Sequence, residues 1–292
     1  MSIADKFQRF CSELRMGNDT VLTVSYRYHR ITQQLNESFR GYSNDNANSL
    51  YVGSYGRGTA IHVSDIDMLY MLPYEDYLRF NAYVGNGQSA MLQEVRNSIA
   101  QTYPQTFLKG DGQVVVIEFS DGICFEVVPC FLNDDDSFTY PDSNGGGRWK
   151  RTDPRPEINA VRSMDVRTNK NLRRLCRMAR AWKDQWDVPI GGLLIDTLAY
   201  SFLKDWEYQD KSFMWYDWLT RDFFGYLSNV DDQQSFWYAV GSNQRILPRG
   251  NFSYKAKRAY NIALEAIEFE GKKYEWSANQ KWREIYGNRF AS

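Results

Sequence analysis

Apolar residues recur at helical spacing from the start of the chain. The pattern predicts two opening helices, roughly Ser2 to Met16 and Asp19 to Phe39. The second is expected to be capped by Asp19 and to carry Val21, Val24, Tyr28, Ile31 and Leu35 on one face. His29 falls inside that helix and is read as an ordinary surface or half-buried residue. A polar, Asn-rich break follows from Tyr42 to Asn48, then a glycine-rich turn and an apolar run, Met68 to Leu72, with the pattern of a strand. Further on, the spacing predicts a helix from Ser89 to Gln101. A hairpin follows, with arms Val114 to Phe119 and Ile123 to Phe131 turning at Ser120, Asp121 and Gly122. The stretch Asp142 to Gly147 ends in three glycines and is expected to be irregular. Beyond it the character changes to helices and aromatic-rich segments. Trp206, Trp215, Trp218, Trp237, Trp276 and Trp282 there are expected in the core and at helix contacts. The fold class is α/β (α+β), with a mixed-sheet lobe at 1–165 that includes the N-terminal helices and a helical lobe at 166–292.

Composition narrows the chemistry. The 292 residues are 43% hydrophobic, enough for a sizeable core, and the formal net charge is −1. No stretch approaches the roughly 20 apolar residues of a membrane helix, and the N-terminus lacks the apolar centre of a signal peptide. The chain is therefore read as cytoplasmic, with no membrane contact. Four cysteines without a CxxC pair, beside His29 and His62 alone, argue against structural zinc and against a His-based triad. His62 is read as structural. Charge is uneven: Arg148 to Lys183 holds twelve Lys or Arg against three acids, and the rest of the chain is acidic. A local cationic strip suits a small polyanion better than a long nucleic acid.

The informative stretch is Gly53-Ser54-Tyr55-Gly56-Arg57-Gly58-Thr59, followed by Ser64-Asp65-Ile66-Asp67-Met68. A glycine-rich turn alone is a weak signal. Here Ser54 and the backbone N–H groups around it have the chemistry to cradle phosphates, and Arg57 and Thr59 are placed to hold that loop or touch phosphate. Asp65 and Asp67 stand at i and i+2 at the mouth of the apolar strand Met68 to Leu72, so their carboxylates share a face. Paired like charges entering a core are costly unless cations neutralise them, and hard oxygen ligands select Mg²⁺ or Mn²⁺. A two-metal phosphoryl-transfer site needs a third carboxylate. Glu126, a lone charge in an apolar strand, is the candidate, ahead of Glu118, which lies nearer the turn.

These motifs resemble the DNA polymerase β nucleotidyltransferase superfamily and, within it, the bacterial cGAS/DncV-like nucleotidyltransferases (CD-NTases). The resemblance implies an N-terminal catalytic lobe, a helical C-terminal lobe and an active site in the cleft between them. It implies template-independent condensation of nucleoside triphosphates into a cyclic di- or trinucleotide, with pyrophosphate released, in anti-phage defence of the CBASS type. Asp65, Asp67 and Glu126 are then the catalytic and metal-binding residues for two Mg²⁺ ions. Gly53 and Ser54 hold the donor triphosphate, and the product acts on a separate effector protein. In relatives a lysine on the helix expected from Arg167 to Trp186 contacts the triphosphate. Arg180 takes the matching place here, with Lys183 as second choice.

The chain departs from the family pattern in places. Arg180 exchanges a point charge for a planar fork. Gly191-Gly192-Leu193 stands where relatives often carry serine and an aromatic residue, and Glu126 replaces an aspartate. The animal sensor's zinc-binding insertion has no counterpart, so no requirement for double-stranded DNA is expected. Arg148 to Pro156, with two prolines, is read as a rigid, cationic linker between the lobes. A linear-oligonucleotide synthase, a nucleotidyltransferase acting on a small molecule or RNA end, and a nucleotide-binding module without turnover are the alternatives. A regulatory or conjugating partner protein stays open.

Overall fold

The structure, a computed structural model, describes residues 1–61 and 65–290. His62 and Ser64 therefore lie outside the described residues. The chain begins with helices α1 (Ile3–Glu13) and α2 (Asn18–Arg40), strand β1 (Ser49–Tyr51), the short helix α3 (Gly53–Arg57) and strand β2 (Asp65–Met71). Helices α4 (Tyr74–Asn81) and α5 (Gly87–Thr102) come next, then strands β3 (Phe107–Asp111), β4 (Val114–Glu118), β5 (Cys124–Leu132), β6 (Phe138–Asp142) and β7 (Arg148–Thr152). The remainder comprises α6 (Arg155–Arg167), α7 (Asn171–Trp186), α8 (Gly192–Asp205), α9 (Tyr216–Ser228), the short strands β8 (Trp237–Tyr238) and β9 (Arg245–Ile246), α10 (Ser253–Gly271) and α11 (Glu275–Tyr286). No helix among the described residues is long and apolar enough to cross a membrane.

Two compact units result. The sheet unit comprises Met16–Gly56 and His62–Pro154; the helical unit comprises Met1–Arg15, Arg57–Ile61 and Arg155–Ser292. The division falls at Pro154 and Arg155, ahead of the boundary expected near residue 165. The first helix also belongs with the C-terminal helices, because Phe7, Phe10 and Leu14 are fully buried in the same core as Leu172, Trp182 and Trp282.

In the sheet unit the strand order is β1-β2-β5-β4-β3, with β6 paired to β5 and β7 to β6. β2 and β5 run parallel; every other pairing in this sheet is antiparallel. Alternation along β2 and β5 sends Ile66, Met68, Phe125 and Val127 into a core with Val24, Ile31 and Leu35 of α2 and Met91, Val95 and Ile99 of α5. Each such side chain contributes about 1.5–3 kcal/mol through burial. The opposite alternation leaves Asp65, Asp67, Cys124 and Glu126 together on the other face.

Several local expectations need correction. Gly17, not Asp19, is the N-cap of α2; Asp19 sits in the first turn, where a carboxylate still favours the helix dipole. Val21 is exposed rather than part of the buried stripe. The segment read as a linker is mostly strand: Arg148–Thr152 pairs with β6, and Asp142 meets both Arg148 and Lys150. The intervening glycines form a short 3-10 turn. In the helical unit Trp282 is fully buried, but Trp276 is 75% exposed and is no core residue.

Candidate active site

Three carboxylates share one face of the sheet unit. β2 begins at Asp65, so both aspartates lie within the strand rather than ahead of it. In the parallel register Asp67 is directly opposite Glu126, and Asp65 is opposite Cys124. Residues so paired on neighbouring strands stand about 4.8 Å apart and point the same way. Glu126 is half-buried, and burial, followed by the Asp67 and Asp65 charges, pushes its carboxyl above the ordinary glutamate range. Glu118 is set apart: it pairs with Cys124 from β4, is exposed, and has β5 between it and the aspartates. Among the described residues no three His, Cys, Asp or Glu side chains close on a single point. The trio shares one face of the sheet, where each carboxylate raises the cost of ionising the others. An all-carboxylate donor set carrying this repulsion fits hard divalent cations such as Mg²⁺ or Mn²⁺.

Gly53 presses against this cluster. Its φ of +61° is unfavourable for side-chain-bearing residues, and a Cβ there would overlap the Asp67 carboxylate. The approach is held by the Val52 N–H donating to the Asp67 carbonyl at 2.9 Å, while the Gly56 N–H donates to Val52 to close the first turn of α3. The opening turn of a helix directs its backbone N–H groups along the axis, and Ser54 lies in that turn, next in sequence to the glycine touching Asp67. Gly53, Ser54, Asp65, Asp67 and Glu126 are therefore all gathered within the sheet unit.

Arg57, Thr59 and Arg180 occupy a different environment, inside the helical unit. Asp196, fully buried on α8, accepts from Arg57 Nε at 2.8 Å, from the Thr59 hydroxyl at 2.9 Å, and from Arg180 Nη1 and Nη2 at 2.6 and 2.9 Å. Glu157 meets Arg57 at 3.4 Å and accepts from Ser242 at 2.8 Å. Burial alone would raise the Asp196 carboxyl, but Arg180 and Arg57 outweigh it and hold it at about 2. Arg180 also donates to the Gly192 carbonyl at 3.1 Å, and a Cβ on Gly192 would crowd its Nη2 at 3.2 Å. Two departures from the family pattern thus meet in space, the forked guanidinium at position 180 lying against the glycine that opens α8. Lys183 is partly exposed, with Asp184 3.7 Å away.

Asp196 lies outside the motifs that stand out in the sequence. Its signal was the one that identified Glu126, a single acid in an apolar run, here Leu194-Ile195-Asp196-Thr197-Leu198. The cationic face of α7 proves to be protein-contacting. Arg173 Nε donates to the Arg57 carbonyl at 2.9 Å and Arg177 Nη2 to the Gly58 carbonyl at 2.7 Å.

Residues 1–164 match the Second Messenger Oligonucleotide or Dinucleotide Synthetase domain (SMODS). A probable cyclic nucleotide synthase of Bacillus cereus (strain VD146) is 23% identical over 181 residues, which is 58% of this chain and 52% of that protein. The chain thus spans about half the length of the curated relative it matches. Among solved structures, CdnC of E. coli MS115-1, in complex with HORMA-deltaN, superposes with a TM-score of 0.69 at 13% identity, covering 99% of this chain and 98% of that one. The Bradyrhizobium diazoefficiens CD-NTase CdnG, in complex with GTP, gives 0.69 at 9% identity, covering 98% and 94%. The Vibrio cholerae cyclic AMP-GMP synthase DncV gives 0.64 at 15% identity, covering 99% and 87%. At these identities the structural likeness speaks for the fold, a polymerase-β-like nucleotidyltransferase lobe followed by a helical lobe.

Proposed function

The chain belongs to the Second Messenger Oligonucleotide or Dinucleotide Synthetase family of cGAS/DncV-like nucleotidyltransferases, and from that premise we propose that it condenses nucleoside triphosphates into a cyclic di- or trinucleotide signal. The observation that carries this reading is the alignment of Asp67 with Glu126, beside Asp65 and against Gly53, on one sheet face. Asp65 and Asp67 are the residues to hold two Mg²⁺ ions, with Glu126 completing the set. When bound, the ions would neutralise triphosphate charge and stabilise the pentacoordinate phosphorus of an in-line displacement.

The chain's own groups supply the rest. Gly53 and Ser54 bind the donor's terminal phosphates through the first turn of α3, leaving its α-phosphate over the carboxylates. The acceptor's ribose oxygen forms a bond to that α-phosphorus as the bond to the β-phosphate bridging oxygen breaks, and pyrophosphate departs. Glu126 takes the ribose hydroxyl proton at its carboxylate. A second such displacement within the linear intermediate closes the ring. Of the cations first assigned to the triphosphate, Lys183 is partly exposed, whereas Arg57 and Arg180 are committed to Asp196. The product is proposed to act on a separate effector protein in CBASS-type defence.

Purified protein incubated with Mg²⁺ and the four labelled nucleoside triphosphates is expected to yield a phosphatase-resistant species on thin-layer chromatography. Asp65→Asn or Asp67→Asn is expected to abolish it. Undiminished synthesis by either variant would refute the assignment. A phosphatase-sensitive product would instead indicate a linear synthase.

A further inference from the structure

A cavity of about 390 Å³ lies within the helical unit and takes no part in the chemistry proposed above. Its size falls in the range of small-ligand sites. The lining is dominated by cations: Arg15, Lys170, Arg173, Arg174 and Arg177 face a single carboxylate, Asp165. That carboxylate accepts the Arg173 backbone N–H at 2.9 Å and lies 3.7 Å from the Arg173 guanidinium. One acid therefore stands against five cations.

Asp165 offsets part of the Arg173 charge, and neutral groups also orient Arg173, Arg174 and Arg177 without cancelling their charge. Arg173 and Arg177 donate to the carbonyls of Arg57 and Gly58, and Arg174 donates to the Asn169 carbonyl at 3.1 Å while stacking on Phe213 at 4.6 Å. Each guanidinium has five N–H donors, more than these bonds use. Arg15 and Lys170 are exposed. The crowding acts on Arg177: burial, then the charges of Arg15 and Arg173, push it below its ordinary range against the opposing pull of Asp165. Preorganised like charges of this kind are relieved by a multivalent anion, and forked guanidiniums match phosphate oxygens.

We propose that this cavity binds a small polyphosphate, a chain of two or more linked phosphate groups, within the helical unit. The chain could arrive free or as the tail of a nucleotide, and the two sources share the same recognition chemistry. Binding here is independent of the carboxylate trio, so the proposal does not rest on the catalytic reading.

The test is calorimetric titration of the full-length protein in EDTA, with tripolyphosphate in one arm and ATP in the other. One equivalent of tripolyphosphate is expected to bind, more weakly at high salt. Asp65→Asn/Asp67→Asn is expected to leave this unchanged, and Arg15→Glu/Lys170→Glu to weaken it about tenfold or more. Arg15→Gln/Lys170→Gln, expected to be intermediate, guards against misfolding of the charge-reversed protein, and the thermal midpoint is recorded for both. Equal affinity for ATP would assign the site to the phosphate chain, and tighter ATP binding to a nucleotide. Failure of both probes to bind, unchanged affinity in both pocket variants, or saturation by duplex RNA alone would overturn the proposal.

Discussion

Gly53 and Asp67 show how one residue can set a site. The backbone at Gly53 takes a φ of +61° and leaves no room for a side chain beside the Asp67 carboxylate. Gly53→Ala therefore has to displace either α3 or the carboxylate. A shift of about 1 Å at reacting groups costs on the order of a hundredfold in rate. We expect initial product formation to fall by about that factor, with the thermal midpoint lowered by only a few degrees; a wild-type rate would show that the contact is not needed. Asp196 makes the opposite case, a residue whose importance is to stability. Asp196→Asn leaves Arg57 and Arg180 buried with reduced compensation, and removal of one partner from a buried ion network costs about 3–5 kcal/mol. Urea unfolding followed by circular dichroism measures this directly, and a loss below 1 kcal/mol would contradict the geometry.

At the scale of elements, the network around Asp196 ties the segment after α3 to α7 and α8. Its carboxyl is held at about 2, against an unfolded value near 3.9. A depressed carboxylate contributes stability above its unfolded value and loses it as pH falls through the folded one. The contribution, about 2.6 kcal/mol, is thus present at neutral pH and is lost progressively between about pH 5 and pH 1. The wild-type unfolding free energy is expected to drop more steeply across that window than that of Asp196→Asn; parallel curves would rule out the linkage. The same elements show what the sequence makes legible. The acids on β2 and β5 announce themselves because a charge in an apolar strand is costly without a purpose. The role of Arg180 does not, since its partners Asp196 and Gly192 lie on another helix, and a basic residue on a helical flank has the same pattern whether it meets phosphate or a buried carboxylate. Strand β7 was hidden because Arg148-Trp149-Lys150-Arg151 shows no alternation of apolar and polar residues, and its place is set by pairing with β6 and by Asp142.

For the whole molecule, the chain changes unit within its most informative motif. Gly53 to Gly56 belong to the sheet unit, and Arg57 to Ile61 to the helical unit. Local spacing could identify the motif but not this division, which follows from which core each segment enters. Ile61 joins the core that holds Phe7 and Trp182, whereas Tyr51 and Tyr55 pack on the core beneath the sheet. The fold class was readable from sequence, and so was the shared face of Asp65 and Asp67, which follows from period-two alternation; that Glu126 stands opposite Asp67 is set by the register of β5 on β2, which no local pattern gives. The membership of α1 in the helical unit was not readable either, since an amphipathic helix does not name the surface it will cover. On the proposed function, the acids on this sheet face serve to join nucleotides into a ring. The most direct test of that reading is the intact mass of the phosphatase-treated product formed from mixed nucleoside triphosphates and Mg²⁺. A cyclic product has a mass equal to two or three nucleoside monophosphates less one water per linkage, with no terminal phosphate, and is expected to be absent when Glu126→Gln or Asp67→Asn is assayed. A linear oligomer with free ends, or the same ring made by either variant, would contradict the proposal.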